Sequence, residues 1–210
     1  YKVIAKSGLI FESKKLYENQ VSDWIRRVLS GKKYQVEPKA AQMLVEFLGT
    51  NLSKISNELD KLMLILPEGT IINPTHIEEN IGISKDYNNF ELRKAVGEKN
   101  VVKANRIIAY FAENPKNNPL VMTISLLNSF FTQLLLFHSL DDRSKNSVAK
   151  MLGVNPFFVD EYFLAARNYP MRKVAQVIAF LRDADIKSKG VGANQTHKDI
   201  LKELLFKILH

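Results

Sequence analysis

The sequence contains no cysteine among its 210 residues. This absence excludes disulfide bonds and thiolate metal ligands, and it fits a protein of the reducing cytoplasm, which is the location we expect. Histidine is also scarce, since only four occur and none is paired at the spacing of metal ligands on a helix. The sequence therefore predicts no metal site and no cofactor.

Motifs for catalysis and for phosphate binding are absent as well. A phosphate-binding loop needs glycines at fixed spacing followed by Lys and Ser or Thr, and neither Gly31–Lys33 nor Gly190–Gly192 has that arrangement. Adjacent acidic residues such as Asp141 and Asp142 diverge on a helix, and no Ser-His-Asp order or kinase signature can be assembled. We expect no active site within this chain, and whether a larger parent protein is an enzyme stays open.

Long hydrophobic runs are lacking too. A helix needs about 20 consecutive, predominantly apolar residues to span a bilayer. The longest candidate, Leu120–Phe137, is interrupted by polar residues that include Asn128 and Gln133. The sequence therefore predicts no contact with a membrane.

Positive charge is present in excess, and it is unevenly distributed. The net charge is +8, and residues 87–210 carry 18 basic and 11 acidic side chains whereas residues 1–86 carry 12 and 11. Such an excess attracts phosphate backbones, but here it is spread over several predicted helices without a long block of Lys or Arg. Solvated helix faces are therefore the favoured explanation, with nucleic-acid binding as the alternative.

Basic residues near aromatic ones in the first part of the chain are the candidates for nucleic-acid contact. They are Arg26, Arg27, Lys32 and Lys33. Arg26 and Arg27 follow Trp24 and are expected to lie off the apolar stripe of their helix. They would therefore be exposed whether or not a phosphate meets them, and simple exposure is the competing interpretation.

The segment Gly49–Leu62 has the clearest helical pattern in the chain. Its apolar residues recur every three or four positions, which places them on one face of a helix. Asn51 is predicted to cap the helix by accepting a backbone amide of the first turn, and Gly49 to end the helix before it. Further helices are predicted from residue 19 to the end of the chain, at about 90–97, 101–113, 119–139, 145–152, 156–167, 170–187 and 196–209 after a linker at residues 83–89.

Only Leu9–Phe11 is predicted to form a strand, and the rest of the chain indicates an all-α fold. A single strand needs partners to form a sheet. We therefore expect the chain to be part of a longer protein whose N-terminal region supplies the other strands. The segment 120–137, apolar over most of its circumference, is expected to be the buried centre of a helical bundle.

One combination of segments resembles a known family. The run LIFESKKLYENQVSDWI (Leu9–Ile25) is followed by a helix containing Ala40 and Ala41 and then by GTNLSKISNELDKL (Gly49–Leu62). This order and spacing resemble the delta subunit of the bacterial DNA polymerase III clamp loader. Later segments, such as Asn89-Phe90 and Ala165–Arg167, resemble it more loosely.

The resemblance implies a domain organisation and a role. Residues 1–12 would be the remnant of an N-terminal AAA+-like domain, residues 13–85 a small helical lid, and residues 86–210 a helical-bundle collar. The chain would be a non-catalytic assembly part of the machine that opens the sliding clamp and loads it on primed DNA during replication. In that family the clamp-binding element belongs to the N-terminal domain, so no residue of this chain inherits that role.

The resemblance also implies partners: the ATPase and delta-prime-type subunits of the loader, the sliding clamp through the N-terminal domain, and DNA only indirectly or weakly. Candidate subunit-interface residues are the four aromatics crowded in one predicted helix, with core packing as the competing explanation for at least half of them: Phe157, Phe158, Tyr162 and Phe163. The alternative function is a free-standing helical nucleic-acid-binding domain. A lid that supplies a sensor arginine to an ATPase site is disfavoured, because the helix around Glu58 offers lysines but no arginine.

Overall fold

The all-α fold predicted from the sequence is confirmed in a computed structural model, which describes residues 8, 15–191 and 195–210. Those residues form eleven α-helices, one short 3-10 helix and two strands of two residues each. The predicted strand Leu9–Phe11 lies outside the described residues, and so does Gly192.

The first group of elements forms a small helical cluster with a hydrophobic core of its own. Val21, Ile25, Leu44 and Leu59 lie at its centre and are fully buried. Its elements are α1 (Glu18–Gly31), β1 (Gln35–Val36), α2 (Pro38–Leu48), α3 (Leu52–Ile65), β2 (Ile71–Ile72) and α4 (Pro74–Ile81).

The second group forms a larger bundle around a separate hydrophobic core. We refer to the two groups as the first cluster and the second cluster. The elements of the second cluster are α5 (Asn89–Gly97), α6 (Val101–Glu113), α7 (Leu120–His138), α8 (Lys145–Leu152), the 3-10 helix (Pro156–Phe158), α9 (Val159–Asn168), α10 (Met171–Ser188) and α11 (His197–Leu209).

Side-chain caps and prolines explain where most helices begin. Asn51 accepts a hydrogen bond from the Lys54 amide at 3.1 Å and caps α3 as predicted, and Pro38 opens α2. By residue type and position Asn118 is also a candidate cap for α7, but Pro119 occupies the N-cap position and the side-chain amide of Asn118 donates to the Asn114 carbonyl.

The two short strands are elements that the sequence did not predict. They pair in parallel, with Gln35 opposite Ile71 and Val36 opposite Ile72. The hydroxyl of Tyr34 donates to the Leu66 carbonyl at 2.8 Å and ties the same loops together. Two residues are too few to show the alternation that identifies a strand, so the sequence pattern gives no sign of this pairing.

Helix α7 is the buried centre of the second cluster, as predicted. Thr123, Phe131 and Leu134 are fully buried, and α7 packs against α5, α8, α9 and α10. Its 19 residues are long and apolar enough to cross a membrane by length and composition alone, so the expectation that its polar residues exclude this was too strong. Burial within the bundle is a sufficient explanation for its apolar character.

Glu203 joins the last two helices at the end of the second cluster. Its carboxylate accepts hydrogen bonds from Lys187 of α10 at 2.8 Å, Lys207 of α11 at 2.6 Å and Gln195 at 3.2 Å. These hydrogen bonds lower the pKa of Glu203 to about 2, and the one from Lys187 has the largest effect. A carboxyl whose pKa is lowered by folding stabilises the folded state above its unfolded pKa and loses that contribution as the pH falls.

We therefore predict that Glu203→Gln lowers the melting temperature above about pH 5 and that the difference from the wild type disappears as the pH approaches about 2. The loss is expected to be below about 1 kcal/mol, because the carboxylate is partly exposed to solvent. Thermal unfolding followed by circular dichroism across this pH range checks the prediction. A difference that persists undiminished at the lowest pH would contradict it.

Candidate interaction surfaces

The four aromatic candidates for a subunit interface do not share one environment. Tyr162 and Phe158 are 1% and 4% exposed and belong to the interior, and Phe163 is half-buried against Phe137. Phe157 is 66% exposed, with its ring edge against Phe158 at a centroid distance of 5.1 Å. Tertiary packing therefore buries Phe158 and Tyr162, leaves Phe163 partly accessible and leaves Phe157 exposed, and these residues lie on the 3-10 helix and α9 and not on one helix. Their contact with a neighbouring subunit stays a prediction, for which Phe157 offers the largest exposed ring.

Tyr162 has an internal role that explains its burial. Its hydroxyl donates to the Gln133 side chain of α7 at 2.6 Å, and its ring lies 5.3 Å from that of Phe130. Burial raises the pKa of Tyr162 to about 12, so the hydroxyl stays protonated and able to donate. The residue fixes α9 against α7 and is not available to a partner.

Arg26 and Arg27 lie exposed on α1, as the sequence predicted. They line a shallow, open groove together with Leu16, Gln20 and Asp23, and Arg26 is paired with Asp23 at 2.5 Å. The pairing lowers the net positive charge of the groove. Its ability to attract a phosphate backbone is accordingly modest, since one carboxylate already neutralises one of the two guanidinium groups.

Lys32 and Lys33 follow the end of α1, outside that groove. Lys33 adopts a left-handed backbone conformation with φ of 63° and pairs with Glu68 at 2.7 Å, while its carbonyl accepts from the Gly69 amide. These contacts give Lys33 a structural role in joining two loops. The four basic candidates therefore do not converge on one pocket, and their contact with nucleic acid stays a prediction.

A polar and aromatic seam joins the two clusters, and it was not predicted from the sequence. Helix α2 of the first cluster packs there against α5 of the second. Phe90 and Phe158 are buried in the seam, with ring centroids 5.1 Å apart, and neither belongs to the hydrophobic core of either cluster. The seam is thus a separate layer between two cores.

Arg93 is the central cation of this seam. Its guanidinium lies 3.7 Å from the Glu46 carboxylate of α2 and donates to the Glu161 carboxylate of α9 at 3.1 Å. It also stacks over the rings of Phe90 at 4.8 Å and Phe158 at 6.0 Å. Guanidinium groups suit such a site because they stay charged, bind carboxylates in a fixed geometry and pack on aromatic faces.

A second set of charges lies beside Arg93 and is centred on Glu91. Its carboxylate pairs with Lys39 of α2 at 2.5 Å and with Lys103 of α6. Burial opposes the ionisation of Glu91, but hydrogen bonds from Lys103 and Lys39 outweigh it and hold the pKa of this carboxyl below its usual value. Burial has the opposite outcome at Glu161, whose pKa is raised despite the hydrogen bond from Arg93.

The side chains of these surfaces are of types that support binding. In the described ranges, no group of three or more His, Asp or Glu side chains is arranged to hold a metal ion. The charges of the seam neutralise one another, with three cations facing three carboxylates, and the exposed candidates are an aromatic ring and a basic groove. Such groups support contacts between helices and between proteins.

Comparison with known proteins agrees with the architecture. Residues 86–207, more than half of the chain, match the family model described as "DNA polymerase III delta subunit, C-terminal domain". No curated protein matches the sequence.

Among solved structures, the chain is similar to the DNA clamp loader delta protein of Bacillus subtilis, with a TM-score of 0.61 and 20% sequence identity. The similarity covers 99% of this chain and 61% of that one, so the chain spans less than two thirds of the length of its structural relative. At this identity the likeness shows a shared fold, whereas the family model is matched by the sequence itself. The chain belongs to the DNA polymerase III delta subunit family.

Proposed function

We propose that this chain is the lid and collar portion of a clamp-loader delta subunit. In this role it is a non-catalytic assembly part of a cytoplasmic machine that opens the sliding clamp and loads it on primed DNA during replication. The match of residues 86–207 to the delta C-terminal domain is the observation that carries the proposal. The likeness in fold to a clamp loader delta protein along nearly the whole chain supports it.

The proposed domains are a lid at residues 13–85 and a collar at residues 86–210, after a remnant of an AAA+-like domain at residues 1–12. Two separate hydrophobic cores support this division, one within residues 21–83 and one within residues 92–209. The polar seam between them is typical of a boundary between domains of one chain.

The proposed partners are the ATPase and delta-prime-type subunits of the loader. The sliding clamp would be reached through the N-terminal domain, and DNA indirectly or weakly. Phe157 is the proposed anchor for a neighbouring subunit, because large exposed aromatic rings are enriched at the centres of protein interfaces. Its position in the 3-10 helix that precedes α9 places it on the second cluster, in the proposed collar.

We predict that Phe157→Asp weakens binding to the other loader subunits by about tenfold or more, because a charge would replace an apolar anchor. Phe206→Asp is the matched control, since Phe206 is 65% exposed but lies on α11, away from Phe157 in the chain. Affinity measured by biolayer interferometry, with circular dichroism to verify folding, checks the prediction. Equal affinity of the wild type and Phe157→Asp would remove Phe157 from the interface.

A free-standing nucleic-acid-binding domain is the second candidate function. The excess of seven positive charges in residues 87–210 favours it. A binder of this kind would bind duplex or primed DNA alone, and its affinity would fall steeply with salt as counterions are released. We predict weak binding to DNA with a shallow salt dependence, measured by fluorescence anisotropy, and tight binding with a steep slope would favour the second function.

A further inference from the structure

The orientation of the two clusters depends on a seam that contains little of either hydrophobic core. Phe90 and Phe158 are its buried apolar residues outside the cores, and the other principal groups are charged. Two clefts flank this contact, and Glu46 and Asn89 line both of them. Contacts between domains that bury a small apolar area permit relative motion unless specific interactions oppose it.

The charges across the seam are arranged in complementary order. Helix α2 presents Lys39 near its start and Glu46 two turns later, a spacing that places both on one face. Helix α5 presents Glu91 to Lys39 and Arg93 to Glu46. A shift of α2 along its own axis by two turns would place Lys39 beside Arg93 or Glu46 beside Glu91, so these two crossing pairs specify one register.

Each crossing pair also has a substitute partner inside the second cluster. Arg93 is held by Glu161 at 3.1 Å, and Glu91 is held by Lys103. If α2 moved away, neither buried charge on α5 would be left without an opposite charge. Separation of the clusters therefore avoids the large penalty that a single buried ion pair would impose when it breaks.

The connection between the clusters can accommodate such a movement. Helix α4 ends at Ile81 and is followed by Gly82, whose φ of 81° lies in the left-handed region, and the chain continues without helix until Asn89. The side chain of Asn88 caps α5 by accepting from the Glu91 amide at 2.9 Å, so the second cluster keeps its own first turn. Ile83 is buried in the core of the first cluster and Tyr87 stacks on Tyr110 of α6, so the backbone changes of a reorientation would fall mainly on residues 84–86 between them.

We infer that the crossing pairs Lys39–Glu91 and Glu46–Arg93 act as an orientation lock between the two clusters. They hold the first cluster at one angle. When the crossing pairs separate, the internal pairs with Lys103 and Glu161 keep an opposite charge beside Glu91 and Arg93. The lock is a two-state device built into the seam, and it does not depend on the identity of any partner.

Matched pairs of substitutions isolate the crossing contacts. Lys39→Met with Glu46→Gln removes the charges that α2 contributes, whereas Lys103→Met with Glu161→Gln removes one cation and one carboxylate that contact the same two residues from within the second cluster. Both double variants leave the net charge unchanged. They differ in whether the lost contacts cross the seam.

The absence of cysteine allows a direct measurement of orientation. Ser53→Cys on α3 and Gln176→Cys on α10 replace exposed residues, one in each cluster, and accept spin labels for distance measurement by electron paramagnetic resonance. We expect the distance distribution of the crossing double variant to broaden by about two-fold or to gain a second maximum, because domains without a strong interface move by default. The internal double variant is expected to keep the narrow wild-type distribution.

Either of two results would overturn the inference: a narrow, unshifted distribution for the crossing variant, or equal broadening for both double variants. Far-UV circular dichroism verifies that the helices persist in each variant. If the crossing double variant does not fold, Glu46→Gln and Glu161→Gln provide the same comparison with a smaller change, and the same two results decide it.

Discussion

Phe131→Ala is expected to lower the free energy of unfolding by about 3–5 kcal/mol. The ring is fully buried at the centre of α7 and packs edge-on against Phe130 at 5.3 Å and Tyr169 at 5.2 Å. Removing it creates a cavity that the surrounding helices fill only in part. Tyr169 is itself fixed by its hydrogen bond to the Val96 carbonyl at 2.9 Å, which limits its movement into the space.

Chemical denaturation measures this loss, and the fluorescence of the single tryptophan distinguishes unfolding of the first cluster from unfolding of the second. Trp24 lies on α1, so its fluorescence reports on the first cluster, whereas circular dichroism reports on all helices. We expect Phe131→Ala to shift the dichroism transition more than the fluorescence transition. Phe206→Ala is the control, because a 65% exposed ring contributes less than about 0.5 kcal/mol. A loss below about 1 kcal/mol for Phe131→Ala would contradict the position of α7 at the core.

Arg93→Met is expected to cost about 3–5 kcal/mol, although the substitution introduces an apolar side chain. It removes the cation that donates to the largely buried Glu161 carboxylate, which is 20% exposed, and that stacks on Phe90 and Phe158. A buried carboxylate without its cation destabilises the folded state more than the added apolar contact stabilises it.

Rescue variants distinguish this mechanism from a simple loss of packing. Adding Glu161→Gln to Arg93→Met is expected to restore part of the stability, because the buried charge is removed. Arg93→Lys is expected to be less stable than the wild type, because an ammonium group cannot pack flat on the two rings while contacting both carboxylates. A double variant no more stable than Arg93→Met would show that the charge of Glu161 is not the cause.

The helices were predictable because their boundaries depend on local chemistry. The cap at Asn51, the proline at the start of α2 and the three- and four-residue spacing of apolar side chains all act within a few residues. The predicted start and end of α6 coincide with the observed Val101–Glu113 for the same reason. Such signals are local and do not depend on how the rest of the chain folds.

The seam could not be predicted, because its contacts join residues that are far apart in sequence. Arg93 and Glu161 are 68 positions apart, and nothing near either residue indicates that they pair. The burial of Phe158 and Tyr162 has the same origin, since it depends on where α5 and α7 lie relative to α9. Pattern alone identified the aromatic residues, and only tertiary packing separated Phe157 from the buried ones.

The most direct test of the proposed function is the mass of the complex formed when this chain is mixed with the ATPase and delta-prime-type subunits from the same organism. Size-exclusion chromatography with light scattering gives that mass. The proposed function predicts one stoichiometric complex that contains this chain and that is weakened by Phe157→Asp. Elution of the folded chain at its own mass, together with tight and salt-sensitive binding to DNA alone, would contradict it.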